Sequence, residues 1–422
     1  MNYKKLSNNA YNLHLISTDK FKTIMIKINF KKKVEKKDIT YRNLLTKVLF
    51  QSNENFKNRK ELEIATEQLY NLSISCHNFI SGNYIITSFN EMFLNEKYTE
   101  ENMNKESIQF ILDILFKPNV KNKEFAYFDI SKRQVLDEID TLKDDTKRYS
   151  QLRLVEEMDK NNLSFNPIGY KEDLDKITNS DLYKYYTSML KSDLIDIFII
   201  GNFNADQMQK EIQENFSVNT IKKTGTTHFL EHNKFRNRPK VVKEQLDVEQ
   251  AKLCMGFKLD KLTDFEKKYV MYIYTFILGG GPNSKLFQNV REKNSLCYSI
   301  SCSHQPVSNI MIINAGINKE DYRKCVSLIK KELTKMSKGQ FEDIDIEAAK
   351  ITYINSLKDI EDYEPSTLKI FESSEYLQFD LLDERASSIQ NVTKEDIINV
   401  SKKIHFDTIY LLEGGNHGKE EH

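Results

Sequence analysis

Ile177-Thr178-Asn179-Ser180-Asp181-Leu182 and Val392-Thr393-Lys394-Glu395-Asp396-Ile397 share one pattern: apolar, Thr, two variable residues, Asp, apolar. Thr-x-x-Asp has the spacing of a capping box, in which the hydroxyl takes a backbone N–H and the acid reaches back to the cap. Each copy opens an amphipathic stretch, Tyr183–Leu190 in one and Ile398–Ile404 in the other. Each stretch leads into an apolar strand that ends in Gly and Asn, Leu194–Asn202 and Thr408–Asn416. Two copies of one unit, about half a chain apart, imply duplicated domains.

The remainder of each half fits a duplication. In the first, Phe21–Phe30 alternates, with Ile24, Ile26, Ile28 and Phe30 on one face. Helical spacing follows at Asp38–Gln51 and Lys60–Tyr70, then a hairpin, Leu72–Phe79 and Tyr84–Phe89, around Ser81-Gly82-Asn83. Helical spacing returns at Asn102–Phe116 and Asn122–Leu142. In the second half, Val241–Phe257 reads as strand, Asp264–Leu278 as helix, and Leu296–His304 with Asn309–Ile317 as a hairpin. Long helices are expected over Asp321–Lys338 and Glu342–Glu361. The expected class is α+β, two homologous domains, each a mostly antiparallel sheet packed with helices. The expected boundaries are a first domain at 1–216, a polar linker at 217–240, a second domain at 241–415 and a disordered tail at 416–422.

Composition narrows the function classes. Lys plus Arg is 62 and Asp plus Glu is 62 in 422 residues, so the electrostatic footprint of a nucleic-acid binder is missing. No apolar run approaches the roughly 18 residues of a membrane span, and Met1–Lys20 has no signal-peptide core, so a cytoplasmic chain is expected. The five cysteines form no CxxC pair and read as buried thiols. His14, His77, His304 and His405 stand singly on strand-like segments and read as core or surface histidines.

The chemistry concentrates in Ile277-Leu278-Gly279-Gly280-Gly281-Pro282-Asn283-Ser284-Lys285-Leu286-Phe287 and its continuation Val290-Arg291-Glu292-Lys293 to Leu296-Cys297-Tyr298-Ser299. By themselves the glycines read as a helix C-cap and loop, Arg291 as a solvated charge and Tyr298 as a half-buried strand residue. No GxxxxGK[ST] pattern supports a phosphate loop. Together the run resembles the second-domain signature of the insulinase/pitrilysin-type zinc metallopeptidases, in their mitochondrial-processing-peptidase-like branch. Asp247–Ala251 and Met255-Gly256-Phe257 also look like that family's opening strand. The resemblance covers essentially the whole chain. It implies that Arg291 and Tyr298 help hold a substrate carbonyl, that Gly279, Gly280 and Gly281 touch substrate, and that the domains form half of a clam-like chamber. The chemical role is sound, because a developing oxyanion needs preorganised donors.

The family's zinc motif is an inverted HxxEH on the first helix of the first half, with a distal Glu. The matching stretch, Tyr41–Phe50, keeps the apolar framework, but the chemical positions hold Asn43, Thr46 and Lys47. Glu138, in Val135-Leu136-Asp137-Glu138-Ile139, matches the distal ligand. A lone carboxylate does not hold zinc, so no metal is expected in this chain. His228-Phe229-Leu230-Glu231-His232 matches HxxEH literally, but in the polar linker, where Gly225 and Pro239 argue against a helix, and it is read as coincidence.

The resemblance therefore implies a non-catalytic subunit of a heterodimeric zinc peptidase that processes or degrades peptides. Zinc would sit in a homologous partner, and Arg291 and Tyr298 would act in trans. A self-sufficient zinc peptidase using His228, Glu231 and His232 and an inactive peptide-binding scaffold are the alternatives. Neither nucleic acid nor membrane is an expected partner.

Overall fold

The structure is a computed structural model and describes residues 1–8, 10–159, 162–216 and 230–414. His228 and the tail 416–422 lie outside the described residues. The strands are β1 (Asn2–Ser7), β2 (Asn12–Ser17), β3 (Thr23–Lys33), β4 (Ser73–Ser81), β5 (Tyr84–Leu94), β6 (Val120–Lys121), β7 (Glu124–Phe125), β8 (Leu194–Gly201), β9 (Lys240–Leu246), β10 (Ala251–Leu259), β11 (Ser299–Gln305), β12 (Ile310–Ile317) and β13 (Ile404–Gly414).

Both repeated caps form. The Thr178 hydroxyl accepts from the Asp181 N–H at the start of the helix Asn179–Ser192. Thr393 and Asp396 make a reciprocal box at the start of the helix Lys394–Ser401. The strands that follow, β8 and β13, are central in their sheets, which explains their continuous apolar character.

The duplication extends to topology. The first sheet runs β1-β2-β8-β3-β5-β4 and the second β11-β12-β10-β13-β9. Read from the other edge, the second is β9-β13-β10-β12-β11, matching β2-β8-β3-β5-β4 strand for strand. The one parallel pair of each sheet falls at the same place, β2 with β8 and β9 with β13, and every other pair is antiparallel.

By their contacts, the residues form two compact units that do not coincide with the contiguous halves expected. One holds Met1–Thr141, Asn166–Thr227 and Ile360–Tyr376; the other holds Leu142–Phe165, His228–Asp359 and Leu377–His422. Each sheet thus takes a helix from the opposite half of the chain. The alternation of β3 shows why. Ile24, Ile26, Ile28 and Phe30 pack on Leu44, Leu45 and Val48 of the helix Lys36–Leu49. The opposite face carries Lys27, Asn29 and Lys31, a pattern that reads as solvent-facing. It is buried instead, beneath the helix Glu364–Leu377. Lys27 pairs with Glu372 at 2.5 Å, and Asn29 donates to Glu372 and to the Tyr376 hydroxyl. In the second unit the helix Thr146–Met158 covers β10 and β13. Leu154 and Met158 pack on Cys254 and Tyr410, while Arg153 reaches Glu244 at 3.1 Å.

Smaller differences concern local geometry. The helix expected over Asn122–Leu142 begins only at Phe128, because positive φ at Asn122 and Lys123 turns β6 back on β7. The strand expected over Val241–Phe257 is two strands, β9 and β10. The helix expected over Asp264–Leu278 opens with a π turn, Glu266–Val270.

Two stability predictions follow from buried charges. Arg42 is fully buried, donates to the Phe30 carbonyl, Thr87 and Tyr185, and pairs with Asp193. Arg42→Ala strands Asp193 without its cation and is expected to cost about 3–5 kcal/mol in urea unfolding. Glu364, accepting from the Thr23 hydroxyl, has its carboxyl pushed up to about 7 by burial. A carboxyl whose folded pKa is raised stabilises the fold below its unfolded pKa and loses that contribution as pH rises through the folded value. Stability should therefore fall between about pH 4.5 and pH 7, and Glu364→Gln should flatten that slope.

Candidate functional site

The helix Lys36–Leu49 places Asn43 and Lys47, four residues apart, on one face. Glu138 comes to that face from the helix Phe128–Asp140. Its Oε2 accepts from Asn43 Nδ2 at 3.2 Å and lies 3.1 Å from Lys47 Nζ. Asn43 Nδ2 also donates to the Ile168 carbonyl at 2.9 Å, and the Thr46 hydroxyl donates to the Asn43 carbonyl within its own helix. Asn43, Lys47 and the distal carboxylate are therefore one constellation, while Thr46 turns its hydroxyl back on its own helix. Zinc needs lone pairs from imidazole, thiolate or carboxylate. Asn43 and Lys47 instead turn hydrogens towards Glu138, and an ammonium holds the place beside the carboxylate. This donor set does not fit zinc.

The literal HxxEH diverges. Leu230–Phe235 forms no helix, so the i,i+4 geometry of a metal-binding pair is missing from its described part. Glu231 pairs with Lys267 at 2.8 Å. His232 is buried, donates from Nε2 to the Ser308 carbonyl at 3.0 Å, and has its pKa lowered by that burial. The two side chains serve different neighbours.

The glycine run ends the helix Met271–Gly279. A Cβ on Gly279 would lie 2.7 Å from the Cys302 backbone nitrogen, and one on Gly280 2.6 Å from Phe276 Cα. Both glycines thus have a packing reason. Gly281 meets nothing within 4 Å and faces open space.

Arg291 lies in a π turn, Phe287–Glu292, with its guanidinium 4.5 Å above the Phe287 ring and Nε 3.7 Å from Glu292. The Ser295 N–H donates to the Arg291 carbonyl and the Leu296 N–H to that of Val290, which closes the chain back towards β11. Leu296 and Cys297 anchor this return in the core, and burial pushes the Cys297 thiol up to about 11 against the opposing pull of Arg291. Tyr298, next in the chain, is 61% exposed. Its N–H donates to the Gly316 carbonyl, and its hydroxyl lies 3.2 Å from Asn318 Oδ1. The Tyr298 hydroxyl donates to the exposed Asn318; a phenol and a guanidinium can each donate a hydrogen bond to an anionic or polarised oxygen brought to them. The π turn and Asn318 have no signal in the sequence.

Residues 176–353 match the family model described as the peptidase M16 inactive domain. Over 98% of both chains, the protein is 28% identical to the probable inactive metalloprotease YmfF of Bacillus subtilis. Over residues 176–353 the chain is similar to the M16 inactive domain, and along its length to a protein named as an inactive metalloprotease. The same B. subtilis strain has a second relative, the uncharacterized zinc protease YmxG, 26% identical over 44% of this chain and 45% of its own. A solved structure of a conserved protein from Enterococcus faecalis superposes with a TM-score of 0.91 over 99% of this chain and all of that one, at 24% identity, which shows the shared fold. The insulinase-type resemblance read from the sequence and these similarities point the same way. The chain has no helix, among the described residues, long and apolar enough to cross a membrane.

The geometry predicts how the lost site is regained. Asn43→His with Lys47→His would set two imidazoles four residues apart facing Glu138, and Thr46→Glu would restore the intervening acid. The triple variant should take up one equivalent of zinc more than the wild type by metal analysis, and adding Glu138→Gln should abolish that gain.

Proposed function

We propose that this chain is the non-catalytic subunit of a heterodimeric zinc peptidase, a partner-dependent role in which Arg291 and Tyr298 complete the active site of a homologous zinc-bearing subunit. The observation that carries the reading is the contrast between the two constellations. Lys47 and Glu138 pair with each other at the zinc-motif positions, whereas Tyr298 is largely exposed, its hydroxyl bonded, among the described residues, only to the exposed Asn318, and the Arg291 guanidinium stands over the Phe287 ring. The occurrence of an inactive-named and a zinc-protease-named relative in one bacterium supports the same division of labour.

In this reading the partner's zinc supplies the activated water and this chain supplies polarity. The Tyr298 hydroxyl and the Arg291 guanidinium donate to the peptide carbonyl oxygen as it gains negative charge. The substrate is an extended peptide held through its backbone. The edge strand β11, which begins at the residue after Tyr298, offers unpaired backbone groups for such pairing. Gly281, open on its Cβ side, leaves room for the peptide to approach. Selectivity for side chains would be loose, since backbone pairing reads no sequence.

The test is reconstitution with a zinc-bearing M16 subunit. The mixture should cleave peptides, and Arg291→Ala or Tyr298→Phe should lower kcat by roughly 10- to 1000-fold without preventing co-purification. Unchanged turnover in both variants would assign the chain a scaffold role instead.

A further inference from the structure

His14, Asp196 and Glu375 bring one imidazole and two carboxylates together on the polar face of the first sheet. One ligand atom from each lies within 4.8 Å of the others. They come from β2, from β8 and from the helix Glu364–Leu377, all inside one compact unit. His14 has no exposed surface. Its ring is clamped flat on Phe198 at 4.2 Å, and its Nδ1 lies 2.8 Å from the Tyr3 hydroxyl. Its Nε2 makes no hydrogen bond and points towards Asp196 Oδ1, 3.7 Å away. A buried ring nitrogen held 3.7 Å from a carboxylate oxygen, too long for a good hydrogen bond, leaves room for an ion between them.

We infer that His14 Nε2, Asp196 and Glu375 form a site for a divalent transition metal ion, distinct from the lost zinc motif, which ties the helix Glu364–Leu377 to the sheet. The donor set of one imidazole nitrogen and two carboxylate oxygens suits zinc or manganese. Tetrahedral zinc spaces its ligand atoms about 3.4 Å apart, so the cluster needs only a modest contraction. The Tyr3 hydroxyl would take the Nδ1 proton and fix the tautomer that leaves Nε2 its lone pair, the usual outer support of a metal-bound histidine. Asn12 and Tyr376 hold Asp196 by donating to Oδ1 at 2.8 Å and Oδ2 at 3.0 Å.

Two ammonium groups bear on the site. Lys31 lies 3.6 Å from Asp196 Oδ2, on the side away from His14, and is held over the Tyr376 ring. Lys5 reaches both oxygens of Glu375 at 2.7 Å, from the edge strand β1, with 40% of its side chain exposed. Lys5 is the competitor. It can withdraw to solvent when the metal enters, so its removal should strengthen binding.

The test uses the full chain after chelator dialysis, titrated with zinc, manganese or cobalt ions and followed by calorimetry and the visible absorption of cobalt. One equivalent should bind with a rise in Tm. His14→Gln and Glu375→Gln should abolish this binding, Tyr3→Phe should weaken it about tenfold, and Lys5→Met should tighten it. Glu231→Gln with His232→Asn should leave it unchanged, which excludes the HxxEH segment as its source. The circular dichroism of each metal-free variant should match the wild type. Absence of uptake, or uptake equal in wild type and His14→Gln, overturns the inference. So does a nitrogen-15 spectrum in excess metal showing both ring nitrogens of His14 protonated.

Discussion

A lysine ammonium set against a glutamate carboxylate governs what this fold can do. Lys47 lies against Glu138 at the positions that the sequence resemblance matches to a zinc motif, and Asn43 donates to the same oxygen from one turn earlier. The pair supplies the positive charge beside that carboxylate from the helix itself, and the donor set there does not fit zinc.

The fold repeats this theme of charges answered internally. On each sheet one face is covered by a helix from the far half of the chain, a polar face on the first sheet and a largely apolar one, with Cys254, Ile312 and Tyr410, on the second. On the first sheet the covering helix brings Glu372 to Lys27 and Tyr376 to Asp196. On the second, Arg153 and Tyr149 meet Glu244. Such buried pairs specify which helix lies on which sheet more than they add stability, because desolvation offsets much of the attraction.

Local signals were the most legible part of the sequence. The Thr178 and Thr393 caps, the central strands after them and the hairpin at Gly82 follow from neighbours in the chain, where spacing alone decides. Asn43, Lys47 and Glu138 were legible as a set only through the family resemblance, since Glu138 is far from them in sequence. The exchanged helices were hidden because Lys27, Asn29 and Lys31 look solvated until Glu372 is known to face them. His14 reads as a core or surface histidine and is fully buried in the core, but the company it keeps was hidden, because Asp196 and Glu375 arrive from remote segments. Nothing at Arg291 announced a π turn.

The most direct measurement of the central claim replaces Tyr298 with a photo-crosslinking benzoylphenylalanine in the chain mixed with a zinc-bearing M16 subunit and a bound peptide. A chain that lends this position to its partner's chemistry should form an adduct to the peptide, dependent on the zinc-bearing subunit being present. Adducts confined to this chain, or the same peptide labelling without the zinc-bearing subunit, would contradict the account.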